Sequence, residues 1–192
     1  MKNTFLTLAF ASFTLFVSGV ANATLIQWES ADGGNDHWYE LTTETTNEFD
    51  ARIIALTSRH NGEFGYLATI TSQEEQDFIK ALIGNTRAWI GASDAASEGN
   101  WIWMDGPERG LALSYTFWAA GEPNNWSKGE DYAAINWKSN GRWNDWGTPA
   151  SHQSVASVVE YNNSVAVPEP SSLAIFALGM IGLASRRFKK QA

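Results

Sequence analysis

The sequence predicts an α+β fold, because helical segments in its first half precede short strands and a long polar loop. The first helical segment, residues 48–58, carries apolar residues that approximate the stripe of a helix: Phe49, Ile53, Ile54 and Leu56. The second begins after Ser72, which forms a capping box with Glu75, and ends at Gly84.

Strand-like segments follow the same reading of apolar patterns. They are residues 37–41, 65–70, 89–91, 101–103, 133–137 and 155–161. The stretch between Asp105 and Asp145 is rich in Gly, Asn, Asp and Trp. Long loops in compact domains are usually functional or disordered, and the tryptophans spaced through this one favour a function.

Composition limits what the chain can do. Its 192 residues leave room for one ordinary domain plus processing segments. Between Thr24 and Ala166, 20 acidic and 8 basic residues give a formal charge of −12. Because such a body repels phosphate, we expect no nucleic-acid partner. The lack of cysteine removes disulfides, thiolate catalysis and cysteine-rich zinc sites.

The N-terminal segment, residues 1–23, has the order of a secretory signal peptide. Lys2 precedes an apolar run from Phe5 to Val20, and the small residues Ala21-Asn22-Ala23 follow. We therefore expect export, cleavage after Ala23, and a folded domain at residues 24–166.

The C-terminal segment, residues 167–192, has a different pattern. Pro168 and Pro170 interrupt any preceding element, residues 173–184 are apolar or small, and a basic cluster ends the chain. A full span needs about 20 apolar residues, so the run is marginal by itself. Basic side chains that reach the membrane surface could still let it cross. The alternative, an amphipathic or core helix, fits less well because no polar face exists.

This order resembles the PEP-CTERM sorting signal of Gram-negative bacteria. The resemblance rests on Val167-Pro168-Glu169-Pro170, the apolar run and the terminal basic cluster. It implies transient insertion into the inner membrane and recognition by an exosortase-type transpeptidase. Release to the cell surface or an extracellular, exopolysaccharide-containing matrix would follow.

Oxygen-bearing side chains are concentrated in the long loop. They lie in Glu122-Pro123-Asn124, Glu130-Asp131 and Trp143-Asn144-Asp145. Such donors suit calcium, which takes 6–8 oxygens at about 2.3–2.6 Å, whereas zinc would favour cysteine or paired histidine. Five side chains and one backbone carbonyl would supply six of these oxygens: Glu122, Asn124, Glu130, Asn144 and Asp145. Solvated turns are the alternative reading of such segments.

The order and spacing of these motifs resemble the C-type lectin fold from about Trp38 to Tyr161. The further marks are Trp89-Ile90-Gly91, the segment 99–106 with Trp101 and Trp103, and the closing Val158-Val159-Glu160-Tyr161. The resemblance implies two helices, short antiparallel sheets and a long calcium-binding loop, here without disulfides.

The same resemblance implies specific roles for loop residues. The principal calcium site, which also holds sugar, would consist of Glu122, Asn124, Glu130, Asn144 and Asp145. Pro123 would follow a cis peptide bond. Glu-Pro-Asn in this family accompanies mannose- or glucose-type preference. A possible second calcium site would consist of Asp94, Glu98, Asn125 and Asp131, weakened because Asn125 stands where a carboxylate is usual.

The function that follows is a calcium-dependent, carbohydrate-binding module of an exported surface or matrix protein. The alternative is a calcium-stabilised protein–protein interaction module, with Trp118 or Trp126 exposed as the contact. An enzyme is not expected, because the three histidines lack a nucleophile and acid at a recognisable spacing.

The sorting signal makes a testable prediction. Mass spectrometry of the cell-surface protein should find no peptide from residues 173–184, because processing removes them. Serine substitutions that remove the basic cluster should impair retention before processing, since those charges hold the end in the cytoplasm. The residues to replace are Arg186, Arg187, Lys189 and Lys190. Recovery of an intact C-terminus from mature surface protein would contradict processing, although not export.

Overall fold

A computed structural model describes residues 24–148 and 153–163. The predicted signal peptide, residues 1–23, and the predicted sorting tail, residues 167–192, lie outside the described residues. The strands are β1 Leu25–Gln27, β2 Trp38–Leu41, β3 Arg59–His60, β4 Glu63–Leu67, β5 Ala88–Ser93, β6 Ile102–Trp103, β7 Tyr132–Ile135, β8 Asn144–Trp146 and β9 Ala156–Tyr161; the α-helices are α1 Glu48–Thr57 and α2 Gln73–Ile83. No helix in the described ranges is long and apolar enough to cross a membrane.

The strands form one sheet whose main path runs β1-β2-β9-β5-β7-β8. The strand β9 pairs antiparallel with both β2 and β4, and it pairs parallel with β5. The expected antiparallel pairing holds for the other named strand pairs, whereas the pairing of β5 with β9 is parallel. The last strand lies between β2 and β5 instead of at an edge, and its parallel pairing with β5 makes the sheet mixed.

The helix α2 has the ends that the sequence predicts. The side chain of Ser72 accepts a hydrogen bond from the backbone N–H of Glu75, and Gly84 follows the last turn with φ of 55°. Ile79 and Ile83 are buried on its inner face. The capping box is altered in one respect, because the Glu75 carboxylate accepts from the N–H of Thr71 at 2.7 Å.

The helix α1 corrects the predicted orientation of its apolar residues. Ala51 and Ala55 are buried against Leu67 and Val159, which come from β4 and β9. The stripe of Phe49, Ile53, Ile54 and Leu56 is instead exposed, and 57% of the surface of Phe49 is accessible to solvent. Alanine lets the helix backbone approach the sheet closely, so the packing follows the small residues on this helix.

The core beneath the long loop is built from aromatic rings. Trp103 and Trp143 are buried, and their ring centroids lie 6.2 Å apart in an edge-to-face arrangement. Trp118 and Tyr115 reach down from the loop, with their ring centroids 5.5 and 5.9 Å from that of Trp143. Such pairs add roughly 0.5–1.5 kcal/mol beyond burial of their area. The loop that connects β6 to β7 is thus anchored from below.

Two glutamates are buried side by side between α2 and β9. Glu75 and Glu160 expose 2% and 1% of their surfaces. The hydroxyl of Tyr39 lies 2.6 Å from a Glu75 oxygen and 3.2 Å from a Glu160 oxygen. His37 Nδ1 lies 2.6 Å from the same Glu160 oxygen, and the Thr69 N–H donates to the other one.

The position of Glu75 changes its acid–base behaviour. Burial, and then the negative charge of Glu160, raise the pKa of Glu75 to about 7. Burial also raises the pKa of Glu48, on α1, to about 7. For His37 burial lowers the pKa, but the hydrogen bond and charge of Glu160 outweigh burial and raise it.

These groups predict that stability falls as pH rises from about 5 to 8. Between 4.5 and about 7 the folded protein holds a proton on Glu75 that the unfolded chain has released. The stabilising contribution is therefore complete below 4.5 and lost above about 7; a rise of this size corresponds to about 3 kcal/mol. Glu75→Gln cannot ionise, so its melting temperature should fall less over this range.

Glu74→Gln is the matched control, since Glu74 lies on the same turn of α2 but is exposed. It should show the wild-type loss of stability between pH 5 and 8. If the melting temperatures of wild type and Glu75→Gln fall equally between pH 5 and 8, the assigned role of Glu75 is contradicted. The part of the pH dependence due to Glu48 and His37 should remain in both variants.

Candidate functional site

The segment Glu122-Pro123-Asn124 follows a tight turn at the end of the long loop. Gly121 has φ of 90°, which a side chain would strain, and the Glu122 N–H donates to the Ala119 carbonyl at 3.0 Å. The Glu122–Pro123 peptide bond is cis, as the resemblance implied. The amide of Asn124 donates to the Glu122 carboxylate. These two predicted ligands therefore lie together.

The carboxylates of Asp145 and Glu130 are enclosed by the backbone that follows Asn124. Asp145, on β8, has no exposed surface, and one of its oxygens accepts from the Asn125 N–H at 2.6 Å. A Glu130 oxygen accepts from the Trp126 N–H at 2.9 Å. Asn125 also accepts from the Glu130 N–H through its side-chain oxygen. The loop thus brings Glu130 and Asp145 to the same turn.

Asn144 is buried beside this cluster. Its amide donates to the backbone carbonyl of Asp145 at 2.5 Å. Strand pairing fixes both residues, because Asn144 and Asp145 stand opposite Ala134 and Ala133 of β7. An amide and a backbone carbonyl are therefore adjacent at the edge of the acidic cluster.

The negative charges of the cluster affect one another. Burial, and then the hydrogen bond and charge of Asp145, raise the pKa of Glu122. Burial raises the pKa of Glu130, opposed by the Trp126 N–H and reinforced by the charge of Asp145. Both carboxylates hold protons more strongly than usual, which is the behaviour of a site deficient in positive charge.

The residues predicted for a second site also lie together. Asp94 is buried; one oxygen accepts from the Gly99 N–H at 2.8 Å, and its own N–H donates to the Asp131 carbonyl. Burial, and then the charge of Asp94, raise the pKa of Asp131. The Asn125 amide donates to the Glu98 carboxylate. Asn125 therefore connects both acidic clusters.

Two buried carboxylate oxygens bear on whether this donor set fits a cation. Asp145 Oδ1 and Asp94 Oδ1 are buried and have no hydrogen-bond partner among the described residues. Buried carboxylate oxygens are normally satisfied, so each needs a partner that the described residues do not supply. Within the same residues, no three His, Asp or Glu side chains already converge as a metal group. The predicted principal site instead combines three carboxylates with two asparagine oxygens, so the chemistry fits a hard cation.

Some features of the site were not visible from sequence. The N–H groups of Asn125 and Trp126 hold the carboxylates, and only the folded turn shows this. Of the two tryptophans that the alternative function offered as exposed contacts, Trp118 is partly buried between Trp101 and Trp143, because its backbone pairs with that of Trp143. Trp126 is 74% exposed, as the alternative function required.

Comparison with known families identifies the fold and the tail. A model of the lectin C-type domain matches residues 57–155, about half of the chain. A model of the PEP-CTERM protein-sorting motif matches residues 166–190, which overlap the predicted tail. That motif marks a protein for export and sorting to the cell surface.

Individual relatives agree with the family match. Lectin BRA-3 of Megabalanus rosa is 36% identical over 121 residues, which cover 62% of this chain and 68% of that lectin. Halomucin of Haloquadratum walsbyi is 38% identical over 126 residues, which cover 61% of this chain but 1% of halomucin. The chain therefore corresponds to a very small part of halomucin.

Solved structures share the fold as well. C-type lectin CEL-I from Cucumaria echinata superposes with a TM-score of 0.57 and 26% identity, over 67% of this chain and 92% of that one. The fold, the loop motifs and the family match over half of the sequence lead to one conclusion. This chain belongs to the C-type lectin domain family and carries a PEP-CTERM protein-sorting motif.

Proposed function

We propose that the chain is a calcium-dependent carbohydrate-binding module of an exported surface or matrix protein. The observation that carries the proposal is the buried Asp145 Oδ1, which has no hydrogen-bond partner among the described residues and lies beside the turn that carries Glu122 and Glu130. Like charges gathered in a low-dielectric place are unfavourable unless a cation compensates them. A bound calcium ion supplies this compensation and two open positions for sugar oxygens.

The principal calcium ligands in this proposal are the side chains that the sequence singled out. They are Glu122, Asn124, Glu130, Asn144 and Asp145. The Asp145 carbonyl, next to the Asn144 amide, is the candidate for the sixth oxygen. A second, weaker calcium would be held by Asp94, Glu98, Asn125 and Asp131. The supporting observation is the buried Asp94 Oδ1, which has no hydrogen-bond partner in the part of the chain that the structure describes.

The sugar is proposed to bind through two neighbouring hydroxyls. A carboxylate accepts a hydroxyl proton, and an amide whose oxygen binds metal can donate from its NH₂ group. Glu122 and Asn124 form such a pair for one hydroxyl, and Glu130 and Asn144 form a pair for its neighbour. The Glu-Pro-Asn order favours a mannose- or glucose-type ligand.

The location of the protein follows from its ends. The proposed signal peptide starts export, and the apolar tail inserts transiently into the inner membrane. An exosortase-type enzyme then cleaves the tail. The released domain would meet an exopolysaccharide at the surface, where repeated ligands compensate for weak single-site binding.

A protein–protein interaction module is the second candidate. Trp126 supports it, because an indole with 74% of its surface exposed is a typical contact residue. Since Trp126 follows Asn125 in the acidic turn, calcium would order this surface too. Glycan competition separates the two functions.

The calcium proposal predicts a metal-dependent rise in thermal stability. Calcium at about 100 times its dissociation constant should stabilise the folded protein by about 2.7 kcal/mol. For a domain of this size the melting temperature should rise by roughly 5–10 °C. Asp145→Asn removes a central ligand charge and should lose most of the rise.

Asp32→Asn is the control for the calcium experiment. It makes the same change of charge at an exposed residue of the short turn Ser30–Asp32. Its response to calcium should equal that of wild type. If excess calcium leaves the wild-type melting temperature unchanged, the proposed calcium site is contradicted.

Sugar selectivity is predicted to depend on the order of donor and acceptor. The double variant Glu122→Gln, Asn124→Asp exchanges carboxylate and amide while it preserves size and net charge. It should lose retention on immobilised mannan while calcium binding, followed by titration, changes much less. We expect wild-type affinity for one sugar to be on the order of mM, about −4 kcal/mol.

Two results would contradict these predictions about sugar binding. If the wild-type protein binds calcium but binds neither mannan nor any other glycan, the lectin function is contradicted and the protein-interaction module is favoured. Equal retention of wild type and the double variant would contradict the sugar-binding roles of Glu122 and Asn124.

A further inference from the structure

A second concave surface lies between the segment 118–120 and the turn that connects β7 to β8. It is a hollow of about 410 Å³, and its lining includes Trp118, Trp137, Lys138, Asn140 and Arg142. We call it the basic hollow. None of the residues proposed to bind calcium lines it. It adjoins the proposed sugar site, because the Glu122 N–H bonds back to Ala119 in its wall.

The aromatic walls of the basic hollow are held in place by other rings. Trp118 lies edge-on to Trp101, with ring centroids 4.7 Å apart. The guanidinium of Arg87 lies 4.2 Å from the ring centre of Trp137 and 4.8 Å from that of Trp146. Both tryptophans are therefore oriented before any ligand arrives, which lowers the entropy cost of binding.

Hydrogen bonds fix the turn between β7 and β8. The Asn136 amide donates to the carbonyls of Gly84 and Thr86 at 3.1 and 2.8 Å, and its oxygen accepts from the Gly141 N–H. The Trp137 N–H donates to the Arg142 carbonyl at 2.8 Å. These bonds hold Lys138 and Arg142 on one short, rigid turn.

The charge of the basic hollow is opposite to that of the domain. Residues 24–166 carry a formal charge of −12, yet the described lining contains Lys138 and Arg142 and no acidic residue. The ion pairs found among the described residues involve His37 with Glu160 and Arg52 with Asp105, so neither Lys138 nor Arg142 is paired. Arg142 donates to the Trp118 carbonyl at 3.1 Å and stacks over Phe117. Its other N–H groups remain available to an anion.

We infer that the basic hollow binds an anionic sugar residue, a uronate or a sulfated sugar of an acidic polysaccharide, without a metal ion. Indole faces pack on the apolar C–H faces of a sugar ring. An arginine fork and an ammonium match the geometry and charge of a carboxylate or sulfate. Binding here needs no calcium, so it is independent of the lectin site.

The test compares three ligands with one backbone, in EDTA and at low salt, with the full chain. They are β-1,4-mannohexaose, the same hexamer sulfated at C6, and β-1,4-hexamannuronate. At least one anionic hexamer should bind about tenfold or more tightly than the neutral one, and the preference should weaken as salt rises. Whether sulfate or carboxylate binds better identifies the source of the anion.

The variant that tests the site is Lys138→Asn with Arg142→Gln. It should lose the anionic preference, whereas Arg59→Gln with Arg109→Gln should retain it. Both pairs remove two positive charges from exposed residues, but the control pair lies outside the hollow. Lys138→Asn alone should lose part of the preference, because it removes one of the two charges. Asparagine tolerates the φ of 57° at this position, so the substitution should not strain the turn.

Three results would overturn the inference. They are equal binding of neutral and anionic hexamers by wild type, unchanged binding by both Lys138 variants, and an equal loss in the control pair. Mannan retention in calcium is measured beside them. If wild type is not retained on mannan in calcium but keeps the anionic preference in EDTA, the mannose-type ligand of the proposed lectin site is contradicted and the inference about the basic hollow stands.

Discussion

The strand β9 is the constraint on which the rest of the structure depends. It pairs with β2 along one edge and with β4 and then β5 along the other, and all six of its residues are buried. It therefore joins the beginning and end of the described domain and aligns β5, on which β7 and β8 assemble. Its Glu160 also receives His37, Tyr39 and Thr69, so three segments meet on one buried carboxylate.

The strand β8 and the preceding Trp143 connect this core to the acidic cluster in the loop. Trp143 is buried among aromatic rings, and the next two residues, Asn144 and Asp145, lie in the acidic cluster. The backbone of Trp143 also bonds to Phe117 and Ala119, which fixes the position of the following Glu-Pro-Asn turn. Without cysteine, the loop is held by aromatic packing and backbone pairing. A rigid apolar base thus supports a surface whose polar groups are incompletely satisfied.

Charge is distributed unevenly around this loop. Glu122, Glu130 and Asp145 gather on one side of the turn, whereas Lys138 and Arg142 lie on the connection between β7 and β8. Opposite charges that are kept apart in an acidic domain remain free to interact with ligands. The short segment from Ala119 to Glu122 connects the two surfaces, since Ala119 and Ala120 line the basic hollow and the Glu122 N–H bonds to the Ala119 carbonyl.

Local patterns were enough to predict most elements. The capped helix α2, the strands β2, β5 and β9, and the family resemblance carried by Glu122-Pro123-Asn124 and Trp143-Asn144-Asp145 depend on neighbouring residues, so the sequence alone identifies them. Their positions along the chain also pointed to the acidic turn, where the structure brings Glu122, Asn124, Glu130 and Asp145 near one another.

Other features depend on contacts between distant segments, so only the tertiary structure decided them. The sequence by itself determined the α+β class, the caps of α2 and the candidate oxygen ligands. It could not determine that β5 and β9 are parallel, that α1 buries alanine and exposes Phe49, or that Trp118 is partly buried against Trp143. The pairing of Glu75 with Glu160 and the basic hollow around Trp137 likewise arise from segments far apart in sequence. A local pattern shows how a segment can fold, but the partner that covers it is chosen by packing of the whole chain.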